Sequence, residues 1–309
     1  MDKDFHFSTI YVLSRWAGFS SYNSLVLATA SQFVDDNTAT ISRNKRPSGH
    51  DPWQNVTIQE ENNNIWIPFH FLPGLEGTTR EERLICKKNS SFANLMMHEL
   101  PPIAVDDSIS MFRLGIALHV YADTWAHQEF SGIDSLWNEV DGLTIHRGNS
   151  ENELSDDVAA NSPLLLGHVQ AMHWPDRPYA AWSSDTKFAT VRNNWDEFIE
   201  AAKHIYSYLT TFHHAAHHTL TKKQINLLLY SFKDNVSTTI ETRTNSWIKN
   251  IHANLYDFED FEKEDAAIHY STSLIIYDAD FSTQFYDALD AHYDWVKKGL
   301  EVNDIYKLK

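Results

Sequence analysis

The chain has 309 residues and a formal net charge of −17, with 42% apolar and 22% charged residues. This is a globular rather than a disordered composition, and its acidity argues against a basic groove for nucleic acid. It does not exclude a phosphorylated substrate, because bound divalent cations would reverse the local field. Cys86 is the single cysteine. A disulfide framework and a thiolate zinc cage are therefore excluded, and any transition-metal site must use His and carboxylates. The 17 histidines are a large supply for that purpose.

The N-terminus, MDKDFHF, carries acids where a secretory signal has a basic region, and no long apolar segment follows. The expected location is cytoplasmic, or secreted without a cleaved signal, as an effector would be. Residues 5–17 have helical periodicity up to Gly18, and residues 22–36 form a second helix ending in VDD. Residues 37–90 read as loop-rich, with IWIPFHFLPG as an aromatic-rich extended piece. From Asp107 as N-cap a helix is expected to run to Gly132. A polar loop over 133–154 precedes a helix at about 155–171, broken by Pro175. Further helices are expected at about 194–218, 221–250, 260–277 and 283–299. The fold class is all-α, as one helical domain. Residues 1–180 form its metal-binding half, and the C-terminal helices of 181–309 complete the core.

The strongest chemical signal is LHVYADTWAHQEF. His119, Asp123 and His127 stand at i, i+4 and i+8, within an arc of about 80° on one helix face. The two histidines are roughly 12 Å apart along the axis, too far for one ion with ligand bonds near 2 Å. Each can share an ion with Asp123, so the spacing suggests two metals. As a purely structural feature, three ionisable groups on an apolar face would need partners or cost stability. His6, Asp35, Asp36, His70 and His168 are weaker singles, as are His173 and Asp176; a site of two or three metals needs about eight to ten N/O ligands. HHAAHH (213–218) reads as a solvated cluster, and Trp66 and Phe71 as the aromatics best placed to meet an apolar group. No P-loop, G-x-S-x-G elbow, dinucleotide fingerprint or H-E-x-x-H occurs.

The ordered set of His6, Asp35 in FVDD, His70 in FHFLPG, His119 with Asp123, His127 and His168 resembles the zinc-dependent phospholipase C family. That family shares a trinuclear core with fungal single-strand nucleases, and the similarity is greatest to its bacterial signal-less subgroup. It covers roughly residues 1–180 and implies two to three Zn2+ ions. Asp35, His70, His119 and Asp123 would bind one. His127 and His168 would bind a second, with Asp176 or Asp157 as the carboxylate. His6 and Asp123 would bind the third, with Asp4 standing in for the family's N-terminal tryptophan.

The resemblance implies a phosphoric ester hydrolase, a phospholipase C releasing phospholipid head groups by attack of water activated between metals. Asp35 or Asp36 would orient or deprotonate that water, and an aromatic loop from Trp66 to Phe71 would face the lipid. Peripheral membrane contact fits this reading, and a stable nucleic-acid complex does not. The alternatives are a single-strand nuclease or other phosphodiesterase with the same zinc site, and a non-catalytic, metal-stabilised effector or binding protein.

Overall fold

The computed structural model describes residues 1–42, 44–50, 59–100, 108–148, 164–212, 218–237 and 239–305. The chain enters the core at once. Residues Asp4–Thr9 form a wholly buried π-helical segment that passes into α1 (Ile10–Trp16). Such widened turns are rare and tend to sit at functional sites. Helix α2 (Ser21–Asp36) starts where the Ser20 side chain accepts from the Asn23 amide, which satisfies one of the open amides of a helix start.

Short α3 (Ala39–Ser42) precedes α4 (Gln59–Phe69), α5 (Arg80–Arg83) and α6 (Ser91–His98). Central α7 (Ser108–Ala126) follows. Three short antiparallel strands, β1 (Thr144–Arg147), β2 (Ala181–Ser183) and β3 (Arg192–Asn193), form one small sheet in that order. The second half supplies α8 (Asn194–Leu209), α9 (Lys222–Lys233), α10 (Ile240–His252), α11 (Ser273–Ile276) and α12 (Ala279–Val302).

Helix α7 is buried on every side, with His119 and Asp123 as a polar stripe on a mostly apolar surface. Phe112, Leu114, Ile116, Leu118, Val120, Ala122 and Trp125 are all fully buried, as expected of a helix enclosed by others rather than lying on a surface. Helices α2, α12 and α8 pack around it. The approach of α2 depends on Gly115, where an added Cβ would lie 2.6 Å from Ala30 Cβ and 2.8 Å from the Leu27 carbonyl oxygen. One apolar core runs from Met1 to Ile305 and draws on both halves of the chain. A smaller cluster around Phe71, Phe130, Trp174 and Trp182 includes the sheet.

The molecule is largely helical with one small sheet, but several expected boundaries move. Helix α7 ends at Ala126 rather than Gly132, which leaves His127 on the first turn beyond it. IWIPFHFLPG is not extended: it is helical to Phe69, with Pro68 in the last turn. The helix expected at 155–171 is no more than a 3-10 turn, Val169–Ala171, in its described part. Residues 221–250 form two helices, α9 and α10. Residues 260–277 hold only a 3-10 turn and the four residues of α11. Asp107, Asp157 and residues 213–217 of HHAAHH lie outside the described residues.

Candidate metal centre

Two residues of the α7 stripe, His119 and Asp123, are fully buried. His119 Nε2 and Asp123 Oδ2 are 3.3 Å apart. His70, just past the end of α4, brings Nδ1 to 3.3 Å from His119 Nε2 and 3.4 Å from Asp123 Oδ2. Asp35, in the last turn of α2, places Oδ1 3.7 Å from both nitrogens. A tetrahedral ion with ligand bonds of about 2.0–2.1 Å sets its donor atoms about 3.3–3.4 Å apart. The His70–His119–Asp123 triangle has that size, and Asp35 stands beside it as a fourth donor.

Backbone carbonyls fix which ring nitrogens face inward. His70 Nε2 lies 2.7 Å from the Ser48 carbonyl oxygen. A carbonyl only accepts, so Nε2 carries the proton and the neutral ring presents an Nδ1 lone pair to the cluster. His127 Nδ1 donates to the His70 carbonyl at 2.7 Å, and His168 Nδ1 donates to that of Met172 at 2.7 Å. Their Nε2 atoms then point at Asp176, at 2.9 Å from Oδ1 and 3.2 Å from Oδ2. Lone pairs converging on carboxylate oxygens repel unless a cation lies between them. Burial works against charge on His70 and His168, yet Asp123 and Asp35 raise the pKa of the first and Asp176 that of the second. A proton is thereby drawn to where a metal ion would sit.

His127 thus belongs with His168 and Asp176. This is the pairing of His127 with His168 that the resemblance implies, and it differs from the spacing argument in which His127 shares an ion with Asp123. Because α7 ends at Ala126, the ring turns, and the nitrogen nearer Asp123, Nδ1 at 3.6 Å, is the one committed to the His70 carbonyl. Phe71 stacks on the ring, with centroids 4.6 Å apart.

The third group joins His6, Asp35 and His119. His6 comes from the π-helical segment, stacks on His119 with centroids 3.8 Å apart, and sets Nε2 3.1 Å from Asp123 Oδ1. The Met1 amino group is 2.5 Å from the same oxygen and 3.2 Å from Asp176 Oδ1. Asp123 therefore turns Oδ1 to His6 and Met1 and Oδ2 to His70 and His119, so that each oxygen serves a different set of partners. Burial alone would raise its pKa, but His127, the Met1 ammonium, His119 and His6 hold it well below the usual carboxylate range. Burial, helped by His119 and the ammonium, keeps His6 well below its ordinary value. The buried outer nitrogens of His6 and His119 have no hydrogen-bond partner.

Of the sequence candidates, His6, Asp35, His70, His119, Asp123, His127 and His168 come together here. Asp4 does not: its Oδ2 accepts from Arg243 Nε at 2.9 Å, and it belongs to none of the donor groups. Asp36 is outside them too, accepting from Gln32 and from the Tyr270 hydroxyl. Phe71 is in the core, and half-buried Trp66 stacks on His50, so the aromatic segment presents no loop to a lipid. Sequence reasoning left Asp176 as one of two choices and did not find Gln32, whose amide also donates to Asp35 Oδ2 at 3.3 Å. Its i−3 and i−4 spacing from the two aspartates was the available signal. A cavity of about 640 Å3 opens beside the cluster, lined by Asp35, Asp36, Asp176, Lys3, Glu241 and Tyr270 among others.

These buried His/Asp groups could hold metal ions, and no helix among the described residues is long and apolar enough to cross a membrane. No curated protein and no solved structure matches the chain. One family model does match it, over residues 1–300, and the chain belongs to that family, the family of unknown function DUF6765.

Proposed function

We propose that the chain is a zinc-dependent phosphoric ester hydrolase with two to three ions at the cluster, a phospholipase C-like fold and a phospholipid head-group ester as substrate. The observation that carries this is the His127–His168–Asp176 group, which opens towards the cavity through Asp176. Three protein donors leave a coordination position for water or substrate, as catalytic zinc sites do and closed structural sites do not. His70, His119, Asp123 and Asp35 would hold one ion, His127, His168 and Asp176 another, and His6 with Asp123 a third. Zinc held there would supply Lewis acidity, activating water and neutralising charge on a phosphoryl group.

The chain's own residues do the rest. Gln32 orients Asp35 and Asp36 from one amide nitrogen. Asp35 turns Oδ1 to the histidines, while Asp36 lies beside Lys3 and Tyr270 on the cavity wall, where it would orient water entering the site. The acidic wall favours a single phosphodiester group over a polyanionic strand, which ranks lipid above nucleic acid. The rival reading, a non-catalytic metal-stabilised protein, draws on the first group, where four side chains could close a shell without exchangeable water.

Elemental analysis of the purified chain, followed by hydrolysis assays on phosphatidylcholine vesicles, single-stranded DNA and bis-(p-nitrophenyl) phosphate, tests this. Two to three zinc ions per chain with phosphodiester turnover abolished by chelation is the expected result. Bound metal without turnover of any of the three moves the assignment to the structural reading, and no bound metal removes it.

A further inference from the structure

Arg243 lies in α10, more than 230 positions from the N-terminal segment in sequence, yet its side chain is fully buried against it. Its Nε donates to Asp4 Oδ2 at 2.9 Å, one terminal nitrogen donates to Asp2 Oδ2, and the other reaches the Ser237 carbonyl oxygen at 2.5 Å. The guanidinium carbon lies 5.5 Å from the Tyr179 ring centroid. A planar fork can engage two carboxylates and a carbonyl at fixed angles, which a lysine ammonium cannot.

Those two aspartates frame the turn that presents His6. The Asp2 carbonyl accepts from the Phe5 amide at 2.8 Å and the His6 amide at 3.2 Å, and the Asp2 amide donates to the Asp176 carbonyl at 3.3 Å. Asp4 opens the π-helical segment that carries His6. From the arginine, therefore, one covalent and hydrogen-bonded step leads to His6, whereas Asp176 is met only at its backbone carbonyl and its carboxylate is held by His127 and His168. Burying a charged cluster is costly compared with an apolar contact of the same volume, so its placement here calls for a role beyond packing.

We infer that Arg243 is a positioning residue for the metal centre: by clamping Asp2 and Asp4 it sets His6 against Asp123, so that the C-terminal half controls occupancy of the His6 corner. The inference rests on the reading of the cluster as a metal site. It assigns no contact between Arg243 and any ion. Partners that orient metal ligands are typically worth about 10–100-fold in affinity, and the loss should fall on one ion and spare the His127–His168–Asp176 group.

The test uses the full chain as wild type, Arg243→Lys and Asp2→Asn. The lysine keeps the charge and loses the fork. Asp2→Asn removes one arm and keeps the Arg243–Asp4 pair, so it is read even if Arg243→Lys does not fold. Zinc per chain is measured at graded chelator concentrations, alongside the visible absorption of the cobalt-substituted proteins and their circular dichroism. The expected result is one ion held about tenfold or more weakly in Asp2→Asn, with the remaining ions and their cobalt absorption as in wild type, and a larger loss in folded Arg243→Lys. Wild-type affinity for every ion in Asp2→Asn, or equal weakening of all ions, overturns the clamp. A wild-type chain that binds no metal instead overturns the reading of the site itself.

Discussion

The two main donor groups differ in what holds them. His119 and Asp123 lie within α7, Asp35 lies in the last turn of α2 and His70 follows α4 directly, so the first group is fixed by helices packed in the central core. His127, His168 and Asp176 sit on turns outside the α-helices; both groups reach solvent, the first through Asp35 with 32% of its side chain exposed and the second through His168 and Asp176 with 18% and 13%. A site on rigid elements is better organised in advance than one on loops. The contrast is one of support rather than of access: packed helices hold the first group and turns hold the second, while Asp35 and Asp176 both line the cavity. Asp123 is what joins them, since both of its oxygens are engaged and its carboxylate faces His127 as well.

Removing that link has the largest expected effect. Asp123→Asn keeps the shape but supplies neither the negative charge nor two acceptor oxygens, and it should lose most bound metal and at least about a hundredfold in any hydrolysis. Elemental analysis beside activity checks this; wild-type metal content in the variant would end the bridging role. The paired variants His70→Ala and His168→Ala probe the contrast directly. Each should lose one ion, but only His70→Ala should also lower the melting temperature appreciably, because an ion held there would tie α2, α4 and α7 together and binding energy adds to stability. Equal destabilisation by both would mean that the two groups are equally structural.

How much of this was legible follows the same division. His119 and Asp123 were visible because a single helix spaces them at i and i+4, and local periodicity is what a sequence displays. His6, Asp35, His70 and His168 stood out only as weak singles and were joined only by an ordered resemblance, since no local rule brings four separate elements to one point. Asp176 could not be chosen over Asp157 because its position depends on the path of an irregular segment from Gly167 to Pro175. Helix α4 was missed because its polar start, QEENNN, and Pro68 both argue against a helix locally, while burial of Ile65, Ile67 and Phe69 decides in its favour. The expectation of a helix at 260–277 failed in the opposite direction: FEDFEKEDAA has helix formers but few side chains to bury.

A smaller effect is expected from Gly49. A Cβ there would fall 2.0 Å from the Asp35 carbonyl oxygen, so Gly49→Ala must shift the loop, and with it the neighbouring Ser48 carbonyl that holds His70 Nε2. Affinity at the first group should fall about 10–100-fold while the second keeps its ion. Chelator titration reads both, and an unchanged first group would show that the Ser48 contact does not set the His70 ring.

The smallest effect concerns the floor of the first group. His292 of α12 stacks on Phe69 and donates from Nε2 to the Pro68 carbonyl, two residues before His70. Burial, with Arg113 and His119 nearby, pushes its pKa down to about 3. Below its ordinary value of 6.5 the unfolded chain binds a proton that the folded chain refuses. Stability is therefore lost as pH falls from about 6.5 towards 3, by up to a few kcal/mol. His292→Gln keeps an N–H for Pro68 and removes the titration, so its stability should fall less steeply than wild type over that window. Urea unfolding of both metal-free proteins at pH 7, 5.5 and 4 measures the difference, and parallel curves would show that His292 is not held neutral beneath the first donor group.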